Sequence, residues 1–235
     1  KLNVNQLRAA KNGLTATETA VELINDLLDI ARIEGGRFGF TFNVGPLKPV
    51  IDKLYNILKV KAEEKGITLT LGELPDSVTM VLDPDRLEMA LENSIENAIK
   101  YTNPPGDVRV TFDVSEETVV MKVIDQGIGI PKEQQHRLFT KFFRAPNAVL
   151  LQTAGSGLGL YLMKSIVENH NGTITIESEE NVGTTVIITL PLAHKKEKDV
   201  AQQKQALEQK AQEPVEPELP QPAPQINDQN NLSQT

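Results

Sequence analysis

The sequence predicts an α+β protein: a two-layer α/β sandwich with a mixed sheet and helices on one face, preceded by a long helix and followed by a disordered tail. Three observations carry this expectation. Apolar residues recur at three- and four-residue spacing from Leu7 to Ala31, the period of a helix seam. Segments of helical period then alternate with short β-branched runs as far as Leu190, which is the pattern of helices packed on a sheet. From Ala193 onward the chain is rich in Gln, Glu and Pro, a composition that buries too little apolar surface to offset its ordering entropy.

The first helix is expected to run to about Glu34. Its seam is Leu7, Ala10, Leu14, Thr17, Val21, Ile24, Leu28 and Ala31, with Leu23, Leu27 and Ile30 widening the apolar stripe and Gly35-Gly36 as the stop. Phe38 to Val44 alternates like an edge strand with its Phe residues on one face. A helix is expected from Pro46 to about Lys65, because Val50, Leu54, Ile57, Leu58 and Ala62 share one face and Gly66 ends it. Strands follow near 67–71 and 78–82. Asp83-Pro84 then opens a helix that Asn103-Pro104-Pro105-Gly106 breaks. Strands near 108–114 and 118–124 complete the middle of the chain. A helix over Tyr161 to Val167 and two more strand-like runs, 171–176 and 183–191, close it.

The 235 residues are 39% hydrophobic and 24% charged, with no Cys and no Trp. Without Cys, no disulfide framework exists. No apolar run is long enough to span a bilayer, and a cytoplasmic location is expected for this portion. The first residue is Lys, so membrane or sensor segments upstream remain open. A net charge of −8 with no dense Lys/Arg patch argues against nucleic acid as a partner.

Three separated segments carry the chemistry. In Asn93-Ser94-Ile95-Glu96-Asn97-Ala98-Ile99-Lys100-Tyr101, Asn93 and Asn97 lie four residues apart on one helix face, where an amide oxygen can help hold Mg2+ against phosphate oxygens. In Asp125-Gln126-Gly127-Ile128-Gly129, the carboxylate ends an apolar strand, placed to accept from an amine, and the glycines let backbone approach a flat ring. Gly155-Ser156-Gly157-Leu158-Gly159-Leu160 opens a helix, whose amides suit phosphates. Together they describe an ATP pocket.

This ordered set resembles the ATP-binding catalytic domain of sensor histidine kinases, in the superfamily that also holds gyrase, heat-shock chaperones and mismatch-repair ATPases, over about Lys1 to Leu192. The resemblance implies a Bergerat-type fold, ATP and Mg2+ as cofactors, and roles for particular residues. Asn97 is the implied metal ligand and Asn93 a phosphate-side partner, with Lys100 and Tyr101 completing the nucleotide-facing helix. Asp125 is implied to bind the adenine amino group, with Gly127, Gly129 and Ile130 around it. Leu138 to Arg144 looks like the phenylalanine box, with Phe139 an anchor and Lys141 and Arg144 set for the γ-phosphate; Asn93, Lys100, Lys141 and Arg144 form the implied catalytic set. Gly155, Ser156, Gly157, Leu158, Gly159 and Leu160 match the second glycine box, which anchors a mobile lid. Within that lid, Ala148 to Leu151 is read first as packing on the domain and second as docking on the acceptor bundle.

By the same resemblance, residues 1–35 correspond to the second helix of the dimerisation and histidine-phosphotransfer domain, 36–192 to the catalytic domain and 193–235 to the tail. The phosphoacceptor His belongs on an earlier helix. His136, His170 and His194 stand in other contexts, so the acceptor is expected upstream or on a partner chain. A response-regulator receiver domain is the implied downstream partner, and a homodimer the implied full-length state. The superfamily's hydrolases carry Glu where this chain has Asn93, and an amide has no basicity to activate water. Phosphoryl transfer to a His is therefore the expected activity. An ATP hydrolase and a nucleotide-binding scaffold without transfer are the alternatives.

Overall fold

The structure is a computed structural model and describes residues 3–151 and 155–193. Most of the tail, with His194, lies outside the described residues. Helix α1 (Val4–Glu34) begins at a capping box between Asn3 and Gln6 and ends at Gly35. Strand β1 (Asn43–Pro46) leads into α2 (Lys48–Lys65), closed by Gly66 in the left-handed conformation. Next come β2 (Ile67–Leu71), β3 (Thr79–Leu82) and α3 (Pro84–Tyr101), the helix that carries both Asn residues. Strands β4 (Gly106–Val114) and β5 (Thr118–Asp125) precede a 3-10 turn over Lys132–Arg137 and the short α4 (Pro146–Leu150). Helix α5 (Gly159–Asn169) and strands β6 (Thr173–Glu179) and β7 (Gly183–Pro191) end the fold.

The main sheet is mixed, in the order β2-β4-β5-β7-β6, with only β2 and β4 parallel. Its strands alternate. Ile67, Leu69, Val108, Val110, Val119, Met121, Val123, Val186, Ile188 and Leu190 point inward, and α2, α3 and α5 cover that face with Leu54, Leu58, Leu87, Leu91, Met163 and Ile166. Among the described residues no helix is long and apolar enough to cross a membrane.

The expected edge strand over Phe38 to Val44 is corrected. Only Asn43–Pro46 pairs, antiparallel to Thr79–Leu82 in a separate two-stranded sheet. Gly39 turns the chain at φ +67, and the Thr41 N–H goes to the Asp83 carboxylate at 2.7 Å instead of to a strand. The three Phe rings still share a face: Phe38 meets Phe40 edge-on at 5.1 Å, and Phe40 stacks on Phe42 at 5.3 Å. Both Phe40 and Phe42 meet His170, at the end of α5. His170 is buried; its Nε2 accepts from the Asp83 N–H at 3.1 Å, which leaves Nδ1–H to donate to the Ile166 carbonyl at 2.8 Å. Burial holds its pKa below the usual range, so the ring stays neutral.

The seam of α1 is left open along most of its length. Ile30 is buried, whereas Leu7, Leu14, Val21, Ile24 and Leu28 are exposed. By contrast, Leu91 of α3 has no exposed surface and sits mid-helix between sheet and helices. Leu91→Ala is expected to cost about 3 kcal/mol of unfolding free energy, read as a shift of the urea midpoint at unchanged slope.

Candidate nucleotide-binding cleft

Helix α3 is the floor of the cleft because its faces are divided by chemistry. Leu87, Leu91, Ile95 and Ile99 face the core, while Asn93, Asn97 and Lys100 lie on the side left open. The helix is anchored at its start by Asp83, whose carboxylate accepts from the Arg86 N–H at 3.1 Å. Above it a cleft of about 510 Å³ is lined by Asn93, Asn97, Lys100, Tyr101, Asp125, Gly129, Ile130, Arg144, Gly155, Ser156, Gly157, Gly159 and Leu160. The three sequence segments thus converge on one site.

At one end of the cleft, Asp125 closes β5. Its Oδ1 accepts from the Gly127 N–H at 2.8 Å and the Thr184 N–H at 3.1 Å. Burial nonetheless outweighs these two donors and pushes the carboxyl pKa up to about 6. Gly127 is required because a Cβ there would lie 2.5 Å from the Tyr101 carbonyl oxygen. Gly129, at φ +59, is pressed against the Glu179 carbonyl, which leaves no room for any side chain. At the other end, the Asn97 amide donates to Asn93 Oδ1 at 2.8 Å, leaving Asn97 Oδ1 open. A Cβ on Gly159 would fall 2.3 Å from the Asn93 amide nitrogen, so the second glycine segment lies directly on this pair. Lys100 reaches the same place, its Nζ 3.1 Å from where a Gly155 Cβ would stand. Arg144 donates to the Gly155 and Ala148 carbonyls, both at 3.4 Å.

Other expected residues support the cleft from behind. Phe139 packs on the core under Lys164, and buried Leu158 donates its N–H to the Ser156 hydroxyl oxygen at 3.1 Å. Lys141 is a correction: it does not line the cleft, because its ammonium pairs with Glu34 of α1 and lies over the Tyr161 ring. In the lid, Ala148 is buried while Val149, Leu150 and Leu151 are exposed.

Several lining residues were not foreseen as such. Leu23 and Asp26 of α1 form part of the wall, and Asp26 accepts from the Ser156 hydroxyl at 2.9 Å. Leu23 was expected only as part of the apolar stripe of the first helix. Ser94 lines the cleft with a buried hydroxyl that has no hydrogen-bond partner among the described residues. Glu92 and Glu96 also line it, with Lys61 3.9 and 2.5 Å from them.

A strand-end carboxylate, a paired-amide helix face and a glycine-rich helix start around one cleft define an ATP-binding module. Residues 82–194 match the family of histidine kinase-, DNA gyrase B- and HSP90-like ATPases. Its likeness is to sensor histidine kinases. The sensor protein SrrB of Staphylococcus aureus is 33% identical over 169 residues, 72% of this chain and 29% of that protein. The chain therefore spans under a third of the curated relative's length. Among solved structures, the catalytic domain of histidine kinase ThkA is 27% identical with a TM-score of 0.57, covering 65% of this chain and 99% of that one. Full-length ShkA, solved in complex with AMPPNP, is 25% identical with a TM-score of 0.65, covering 82% of this chain and 40% of that one. The expected fold class is borne out.

An acid whose folded pKa is raised binds more protons folded than unfolded between the two values, so stability falls as pH rises through that window. For Asp125 the window runs from 3.8 to about 6. Its carboxyl resonance is expected to titrate near 6. Asp125→Asn is expected to remove up to roughly 3 kcal/mol of pH dependence from that window in unfolding titrations.

Proposed function

We propose that the chain is the catalytic part of a two-component protein-histidine kinase, which binds ATP with Mg2+ and passes the γ-phosphate to a His on an upstream or partner helix. Asn93 carries this reading. It stands one turn before Asn97, where a hydrolase of the superfamily needs a carboxylate, and its amide oxygen is already engaged by Asn97. Glu92 and Glu96 are the nearest carboxylates on this helix, and Lys61 of α2 holds both, at 3.9 and 2.5 Å. His170 is buried with both ring nitrogens bonded, which argues against it as the acceptor.

Asp125 would accept from the adenine amino group through the oxygen its two backbone donors leave open. Asn in its place would keep those backbone bonds and turn a donor toward the base. The residues also fit a magnesium ion. Among the described residues no cluster of three His, Cys, Asp or Glu forms a protein cage, but Mg2+ on a nucleotide keeps waters and phosphate oxygens and takes one or two protein oxygens. Asn97 Oδ1 is such an oxygen. When bound, the ion would neutralise charge on the phosphates.

Lys100 and Arg144 face the same end and would offset charge as an imidazole nitrogen bonds to the γ-phosphorus and the bond to the β-bridging oxygen breaks, releasing ADP. The protein's contribution is position and charge. Residues 1–35 would serve as one helix of a dimerisation bundle, since their open seam suits a helical partner, and 36–192 as the catalytic domain. A response-regulator receiver would take the phosphoryl group onward. The portion described would work in the cytoplasm.

With Mg2+ and γ-labelled ATP, label is expected on a separately supplied histidine-bearing helical domain. Free phosphate without labelled protein would replace the proposal with a hydrolase, and tight ATP binding without either would leave a scaffold. Asn97→Ala is expected to weaken ATP binding roughly ten- to a hundredfold in the presence of Mg2+ and much less in its absence, as read by calorimetry.

A further inference from the structure

We infer that Lys65 is a positioning residue for base recognition: its ammonium, seated on three backbone carbonyls at the carboxyl end of α3, fixes the turn against which the Asp125 loop rests. The inference builds on the nucleotide reading of the cleft.

The last carbonyls of a helix need outside donors, and here the sequence removes the usual ones. An α-helical continuation would offer the N–H groups of residues 104 and 105 to Lys100 and Tyr101, but both are proline and have none. Thr102 doubles up on Ala98, with its N–H at 3.1 Å and its hydroxyl at 2.7 Å. The remaining carbonyls are satisfied from elsewhere. Lys65, the last residue of α2, donates to Ile99 at 2.7 Å, Lys100 at 2.6 Å and Thr102 at 2.9 Å. An ammonium has three N–H donors, and all three are used.

The one carbonyl that Lys65 leaves is Tyr101, and it accepts from the Ile128 N–H at 3.2 Å. The next residue back, Gly127, lies so close to the same oxygen that a Cβ would be 2.5 Å away, and its N–H holds Asp125 Oδ1 at 2.8 Å. Lys65 thus clamps the carbonyls on either side of the one that seats the loop. Burial, with Lys100 nearby, holds the ammonium's pKa below the usual range, while three carbonyl acceptors at a helix carboxyl end favour the charged form. Lys65 does not line the cleft and meets its residues only through the backbone of the turn, so it acts through that turn.

Lys65→Met keeps the stem and removes the donors. Calorimetry at a temperature where the variant is folded is expected to show ATP and ADP weakened by the same factor, about tenfold, because the defect sits at the base. Amide resonances of Gly127 and Ile128 are expected to shift, and Lys65→Arg to recover part of the affinity. Unchanged ADP affinity in folded Lys65→Met, or a loss confined to ATP, would overturn the inference; a lowered melting temperature alone would mark Lys65 as structural only. Should Lys65→Met fail to fold, Lys65→Gln, with two donors for three carbonyls, is measured the same way. If the parent chain binds neither nucleotide, the nucleotide reading fails by itself, and unmoved Gly127 and Ile128 resonances in the variant would still overturn the role of Lys65.

Discussion

The site hangs from one helix that is fastened at both ends by side chains from other parts of the chain. At its start, Asp83 caps α3, accepts from Thr41 in the Phe38–Phe42 segment and donates its own N–H to His170 at the end of α5. At its finish, Lys65 of α2 gathers the free carbonyls. Neither fastening is local in sequence. Each ties the end of a covering helix to α3, so the helix layer is cross-linked by polar contacts at both ends of the element that carries the Asn pair. Hydrophobic burial supplies the driving force for this layer, and the end fastenings set its register.

The cleft then separates two kinds of work. At the base end, a partly buried carboxylate is kept by backbone N–H groups in a place where burial alone would favour its neutral form. Glycines there are dictated by carbonyls already occupying the Cβ positions. On the reading proposed for the cleft, the other end would meet phosphates through amides and cations, and Gly159 lies on the Asn pair. The first end is built from backbone, the second from long polar and charged side chains.

Much of this was legible in the sequence because the signals were local. The periodicities of α2 and α3, the Asp83-Pro84 start, Gly66 and the strand runs fall close to their observed places. The Asn pair, Asp125 and both glycine segments meet in the cleft as their order implied. What stayed hidden depended on tertiary contact. Alternating Phe residues predicted a strand, but Gly39 and the Asp83 carboxylate diverted the backbone. Lys141 looked ready for phosphate by its place beside Arg144, yet Glu34, over a hundred residues away, took its charge. Lys65 gave no signal at all, because a lysine at a helix end is ordinary and its three acceptors are fixed only once α2 lies beside α3.

The wall that α1 contributes also bears on chemical selectivity. The glycine segments, the Asn pair and Asp125 all fall within residues 82–194, the stretch that matches the ATPase family. Leu23 and Asp26 come from a different element. An inhibitor that fills the base end and extends a cationic, partly apolar arm to these two residues would distinguish this chain from family members that lack the helix.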